Sequence, residues 1–453
     1  MQTVITRFSL LRSMKAWQKR ATISMVLVGV LVQQSHAMPV NVYREFGNDH
    51  GLTNLQGREI VPSKYPYIVY VGHGLFLLSQ RNPNPDQRFK CTNEKILINR
   101  NGVQLKTQVP LNATFEGIFW LGEKAENNKT FVPDTLPDDA LLKFRIDQNS
   151  GICDKDGHIV LPASFPWIGT AREGMAVVRR EDNKLFVFDV KSRQQNEVSG
   201  EVADNGVGMA FGEGLAPFRN QRLTGYIDTS GKVVIAPKFN WGLIFEQGQA
   251  FVTVLNSDGK AASGAIINKM GEIVSPPTLA VCEFYGDYAV AGTGAGKVGV
   301  VNRKFEFVIQ PEYETLLPQA APYYSEEDAW SLHSKPPLFF YALKHKGARP
   351  VVLSVNGKVL FELPEAVHLP NWPPHVRNSV IVCPVWIDPN HSKQVFLNMQ
   401  GKEVAAPYST LSKSESVKFR EIAPGILLKT IECDDALYRA KLRKSGCIRP
   451  ITP

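Results

Sequence analysis

The residues of this chain best able to do chemistry are its cysteines, histidines and adjacent acidic pairs, and their spacing removes most of that chemistry. The six cysteines are Cys91, Cys153, Cys282, Cys383, Cys433 and Cys447. No two stand at Cys-x-x-Cys spacing, so neither a redox motif nor a zinc knuckle is indicated. The nine histidines (His36, His50, His73, His158, His333, His345, His368, His375 and His391) are scattered, without metal-ligand spacing. His158 occupies a turn position held elsewhere by Lys or Glu, which marks it as solvent-facing. Asp138-Asp139 and Asp434-Asp435 are neighbours in sequence, and neighbours on a strand point to opposite faces, so neither pair makes an acid–base dyad. A glycosidase needs two carboxylates facing each other across a cleft, which only the fold decides. Gly294-Ala-Gly-Lys-Val-Gly299 has the glycine spacing of a dinucleotide turn. That chemistry needs a strand before the turn and a helix after it. Here an apolar β-branched run follows, and the phosphate-loop pattern is absent as well. Asp154-Lys-Asp-Gly157 opens like a calcium loop, but no ladder of oxygen ligands follows it. Gly-x-Ser-x-Gly is missing. The expectation is no catalytic residue, no metal and no cofactor.

The elements that would position any site are repeated. An apolar pair, a polar turn ending in Gly and a β-branched run closing on Pro recur along the chain. The turns read Asn54 to Gly57, Asn99 to Gly102, Asp154 to Gly157, Asp228 to Gly231, Asn268 to Gly271, Ser354 to Gly357 and Asn398 to Gly401, with a degenerate Asn302 to Phe305. A ninth, worn unit fits the wide gap after Gly157, from Leu185 to Asp189 and on to Phe218. An Asp or Asn side chain can bond its own backbone, and Gly takes positive φ freely. Apolar runs on both sides therefore read as a hairpin. Pro lacks an amide donor and suits the strand's end. A third segment, as in Arg172-Glu-Gly-Met-Ala-Val-Val178, Gly212-Glu-Gly-Leu-Ala-Pro-Phe218 and Phe245-Glu-Gln-Gly-Gln-Ala-Phe-Val252, leads into another strand. Each unit then holds about three short strands and leans on its neighbours to bury its apolar faces.

The pattern Gly225-Tyr-Ile-Asp-x-x-Gly-Lys-Val-Val-Ile-x-Pro237, followed by Phe245-x-x-Gly-x-Ala-x-Val252, resembles the WG-repeat (KWG) family. The units at Gly151–Val178 and Ala262–Val290 resemble it too; the flanking units diverge, and Thr224-Gly225 stands where the family has Trp-Gly before Tyr-Ile-Asp. The resemblance implies repeat architecture and a binding role or none known. Tandem three-stranded units have two solutions, a closed propeller-like array or an open β-solenoid. The spacing of the units varies, and insertions are easier to place in the loops of blades, which favours closure.

The 453 residues carry 51 basic and 43 acidic side chains. The N-terminal part concentrates the excess. Arg7, Arg12, Lys15, Lys19 and Arg20 precede an apolar run from Ala21 to Val32, too short to span a bilayer. Ser35-His36-Ala37 follows. This is the pattern of a secretory signal cleaved after Ala37, and an uncleaved anchor is its rival. Taking those five from 51 leaves 46 basic against 43 acidic groups, so no basic stripe supports nucleic-acid binding. The lone cluster Lys441-Leu-Arg-Lys444 reads as a solvated tail. An even cysteine count in an exported chain fits disulfides: Cys433–Cys447 first, then Cys91–Cys153 and Cys282–Cys383, with buried thiols as the other reading. The sequence divides into a signal at 1–37, repeats at 38–310, an insertion at 311–349 and degenerate repeats with a tail at 350–453.

Aromatic residues carry the remaining hint. Trp167 and Trp241 stand at equivalent positions after the Pro. Tyr323, Tyr324 and Trp330 lie in the segment Pro318 to Pro337, beside Glu326-Glu-Asp328. These five are the candidate binding residues, against packing between units as the alternative. The expected function is a non-catalytic binding or scaffolding module for a protein or a cell-envelope glycan, periplasmic or secreted, without a lasting membrane span. The alternatives are a carboxylate-based envelope hydrolase and a purely structural component.

Overall fold

The computed structural model describes residues 48–81, 91–128, 131–199, 210–220, 222–255, 262–294, 296–319, 336–365, 367, 369, 374–377, 380–388, 391–411 and 417–431. Among them the strands form nine small antiparallel sheets, nearly all built from strands consecutive in sequence. This is the blade construction of a β-propeller, and the favoured closed array is the one found. Within sheet one, the first strand, Asp49–Asn54, pairs with the last, Ile426–Ile431, through six residue pairs from Asp49↔Ile431 to Asn54↔Ile426. Glu59–Tyr65 and Val417–Ala423 complete that sheet.

The chain forms two compact units. One, spanning 39–166 and 405–453, contains sheet one, the sheet of Tyr67–Tyr70, Leu75–Arg81 and Cys91–Asn99, and the sheet from Thr114–Trp120 to Ile159–Phe165. The other contains six sheets, numbered here four to nine. They begin at Trp167–Ile168, Leu215–Asn220, Trp241–Gly242, Ala280–Tyr285, Thr315–Gln319 and His375–Arg377. The described part of the segment expected as an insertion, 311–319 and 336–349, supplies strands of sheets seven and eight.

Nine turns, one per sheet, explain why the repeat folds locally. In seven of them the side-chain oxygen of the first turn residue accepts backbone N–H groups two and four positions on. Asp228 Oδ1 accepts from Ser230 (2.9 Å) and Lys232 (3.0 Å), and Asn302 Oδ1 from Lys304 (2.9 Å) and Glu306 (3.1 Å). Gly231, at φ 84, donates to the Asp228 carbonyl. In the degenerate turn Phe305 adopts φ 64 where seven of the turns have Gly. The worn unit uses a variant: Asp189 Oδ1 accepts from Lys191 (2.8 Å) and Ser192 (3.2 Å), two and three positions on, and Arg193 takes the positive φ.

Neighbouring residues of one strand feed different cores. In Leu223–Asp228, Ile227 packs with Val177, Leu185 and Phe211, whereas Tyr226 packs with Phe245, Ala250 and Val252. One residue on, the side chain points to the other face, so this sheet is a shared wall between two apolar layers. That is why these inner strands are buried almost without alternation. The outer strands, such as Val233–Phe239, alternate.

Candidate functional site

In several units the third segment opens on a two-residue hairpin turn. Glu173-Gly174, Glu213-Gly214 and Gln247-Gly248 have positive φ at both central residues (57 and 72, 53 and 81, 52 and 75). This is the type I′ geometry that matches strand twist. The hairpins are linked in series. The Glu173 carboxylate accepts the N–H groups of Glu213 (2.7 Å) and Gly214 (2.8 Å). The Glu213 carboxylate accepts Gly248 N–H (2.9 Å) and pairs with Lys269 Nζ (3.1 Å). Partial burial opposes ionisation of Glu213. The Gly248 N–H, Lys269 and the Gln247 N–H outweigh it and hold the carboxyl below its usual range.

At the end of this series, between sheets six and seven, lies a cleft whose empty volume, open mouth included, is about 420 Å³. Leu243, Ile244, Ala250, Phe251, Ile266 and Phe284 form its apolar wall, and Glu246, Gln249, Glu283 and Arg303 are its polar groups. Arg303 comes from the degenerate turn of sheet seven. Its Nε and Nη2 donate to the Gly286 carbonyl (3.1 and 2.8 Å), and its Nη1 to Glu246 O and Gln249 Oε1 (both 3.3 Å). The guanidinium stands 4.5 Å over the Phe284 ring. Burial lowers its pKa, while Asp287, Glu246 and Glu213 act to raise it.

Glu283 is the least expected member. It is 4 % exposed, deep for a carboxylate. Its strand, Ala280–Tyr285, slips register between Val281 and Phe284, and both Glu283 and Phe284 are buried. A bulge of this kind re-aims a side chain. Tyr285 Oη donates to Glu283 Oε1 (2.8 Å). Glu283 Oε2 is buried and receives no hydrogen bond.

The tryptophans proposed from sequence do occupy equivalent places. Trp167 pairs with Arg179 at the start of sheet four, and Trp241 with Thr253 at the start of sheet six. They are not brought together, and neither lines the cleft. Both are half-buried. Trp167 packs against the core shared by sheets four and five, and Trp241 meets Phe251 edge-on at 6.1 Å. Tyr323, Tyr324 and Trp330 lie outside the described residues. Sequence reasoning missed Glu283 and Arg303, whose signal is slight: an acid inside the apolar run Val281-Cys-Glu-Phe284, and a turn that ends in Phe305 instead of glycine.

Cys153, Cys282 and Cys383 are free. The expected Cys91–Cys153 and Cys282–Cys383 bridges are therefore not formed, and Cys433 and Cys447 lie outside the described residues. The reason is packing. Cys153 and Cys383 sit inside apolar clusters, Cys282 packs against a third, and burial pushes each thiol up to about 12. Asp138 and Asp139 lie in a turn rather than on a strand, and their carboxylates serve different partners. Asp139 Oδ2 accepts Glu123 N–H, while Asp138 faces Lys155 at 3.5 Å. The glycine-rich stretch at 294–299 connects two strands of one hairpin, with no helix after it.

Comparison with curated proteins finds no match. Among solved structures the chain is similar to the computationally designed Ika8 protein, at 10% identity and TM-score 0.32, over 73% of this chain and 99% of that one. It is similar to AztD of Citrobacter koseri at 12% identity and TM-score 0.30, over 79% and 94%. It is also similar to BamB of Moraxella catarrhalis at 10% and 0.29, over 72% and 96%. The family model of the WG containing repeat matches residues 151–184, 225–256 and 299–318, so this chain carries WG repeats.

Proposed function

We propose that the chain is a non-catalytic binding module that grips a protein partner through the hairpin ends of its sheets. The cleft at Glu283 and Arg303 carries this reading: an apolar wall with a few fixed polar groups is how binding pockets are built. The series of carboxylate-to-amide bonds holds the neighbouring hairpins still, which lowers the cost of ordering them on binding. The three buried thiols have no thiolate to offer at neutral pH and support a non-catalytic role. A protein suits the site better than a glycan. The two tryptophans, expected to stack on a sugar or grip a peptide, already commit part of their ring surface to packing, and sugar stacking needs an open ring face. The basic and then apolar stretch at 1–37 supports export.

The deciding experiment is capture by the immobilised chain from an envelope extract, with mass spectrometry and re-binding of the purified protein. The expected result is a saturable complex with one or a few polypeptides. Retention of nothing, together with degradation of a peptidoglycan or polysaccharide panel, overturns the proposal. The rival hydrolase has one observation in its favour, that Glu246 and Glu283 both line the cleft. It requires degradation of that panel to vanish in Glu283→Gln.

A further inference from the structure

Two carboxylate oxygens of the cleft are buried without a hydrogen bond; Glu246 Oε1 faces the Arg172 guanidinium at 3.8 Å, which leaves Glu283 Oε2 as the one without an ion pair. It belongs to a carboxylate that is 4 % exposed and receives no hydrogen bond, although the other oxygen is bonded to Tyr285. A buried acceptor without a donor costs stability, more so when charged. The fold nonetheless uses a register slip in Ala280–Tyr285 to place it there. The neighbouring cation does not relieve it: the hydrogen bonds of Arg303 go to Gly286 O, Glu246 O and Gln249 Oε1. What is missing at Oε2 is a donor, and a cationic donor would be favoured over a neutral one.

The walls say what that donor is carried on. Leu243, Ile244, Phe251 and Phe284 give the path an apolar lining, suited to methylene groups rather than hydroxyls. Glu246, placed with Glu283 in the same cleft, disfavours anions. A guanidinium is the poorer fit, because its planar fork asks for several acceptors in one plane; an ammonium is compact and takes acceptors from any side. From these we infer that the cleft between sheets six and seven binds a primary ammonium group on an unbranched aliphatic stem, its nitrogen donating to Glu283 Oε2. This rests on the binding-module reading and names the chemistry of its contact. Two sources share that chemistry, the lysine side chain of a partner protein and a free alkylamine.

The test uses the full chain and three ligands of equal stem, n-pentylamine, 1-pentanol and pentanoate, titrated by calorimetry or ligand-observed NMR. The amine is expected to bind at least about tenfold more tightly than the alcohol, the increment of a charge-assisted hydrogen bond, with pentanoate weakest. Glu283→Gln should abolish the preference for amine over alcohol. Equal affinities for amine and alcohol in the unaltered chain overturn the inference. So does a preference that survives in a folded Glu283→Gln variant. Should that variant fail to fold, the ligand series on the unaltered chain still decides. A lysine-containing peptide that binds more tightly than pentylamine, and more tightly than its Nε-acetylated form, assigns the site to a partner's side chain. A peptide weaker than pentylamine assigns it to a free amine. Failure of protein capture with the amine preference intact removes the partner and keeps the pocket; the opposite pattern keeps the partner and removes this contact.

Discussion

Tyr226 shows how much of the repeat depends on single atoms. It is fully buried, and its Oη donates to the Leu243 carbonyl at 2.8 Å. A Cβ on Gly242 would lie 2.5 Å from that oxygen. The glycine of the Trp241-Gly242 pair thus makes room for the Tyr of the preceding Gly-Tyr-Ile-Asp run, which ties one unit to the next. Tyr226→Phe leaves a buried carbonyl without its partner and should cost about 1–3 kcal/mol. Gly242→Ala should cost at least as much, because the tyrosine must move. Chemical denaturation of the two variants checks both values, and a Gly242→Ala variant as stable as the parent would contradict the arrangement. The cysteines give a second prediction at this scale. With thiols pushed up to about 12, Cys153, Cys282 and Cys383 should react with a thiol reagent at neutral pH far more slowly in the folded chain than in denaturant. Quantifying labelling at each position by mass spectrometry tests this. The expected Cys91–Cys153 and Cys282–Cys383 bridges failed for a plain reason: an even count of cysteines is a parity argument and does not sense which thiols the cores enclose.

The turn is the element that sequence describes best. Its device is complete within five residues: one oxygen, two amides and a positive φ. That is why the copies that keep an Asp or Asn and a Gly can be read before any strand is placed, whereas the worn copy at Asp189 is inferred from the wide gap between turns. The same element carries a pH dependence. Partial burial works to raise the carboxyls of Asp154, Asp189 and Asp228, but hydrogen bonds from the turn outweigh it and hold them below their usual value. A carboxyl lowered on folding contributes stability that is full above its unfolded pKa, about 4. That stability is lost as pH falls from there through the folded value. The chain should therefore lose stability below about pH 4 and show no such loss from these groups above about pH 5. Asp228→Asn should keep the turn, since Asn serves at 54, 99, 268, 302 and 398, and should flatten its share of the acid loss. Asp228→Ala should cost about 1 kcal/mol at neutral pH. Thermal unfolding across pH 2.5–7 (an assay range chosen around the ordinary carboxylate pKa of about 4) separates the variants. The cleft was not legible in this way, because Glu246, Glu283 and Arg303 come from three separate segments and meet only once sheets six and seven stack. A bulge that turns one glutamate inward leaves almost no mark on periodicity.

At the scale of the molecule, stability is shared between neighbours rather than stored in one core. Because Ile227 and Tyr226 serve different apolar layers, a change in either is felt in the sheet it faces. Sheet one pairs strands from near both ends of the described residues, so among the described sheets it is the one that joins strands far apart in sequence. Ending the chain at Leu411 removes Val417–Ala423 and Ile426–Ile431, opens the apolar cluster around Leu52, Phe76 and Ile98, and leaves Asp49–Asn54 with one bare edge. Such a chain should be aggregation-prone, with its Tm lowered by far more than any single substitution lowers it. Differential scanning calorimetry of the shortened and full chains tests that expectation.

The pairing of the ends sets an order of events during synthesis. His50 and Thr430, whose side chains meet at 3.0 Å, are 380 positions apart. A ribosome adding roughly 5–20 residues per second needs about 20–80 s between making one and making the other. Throughout that interval the strand at Asp49–Asn54 waits with half its backbone bonds unmade. The nascent chain therefore needs a holder for its own beginning, and slowing elongation should lower the yield of folded protein rather than raise it.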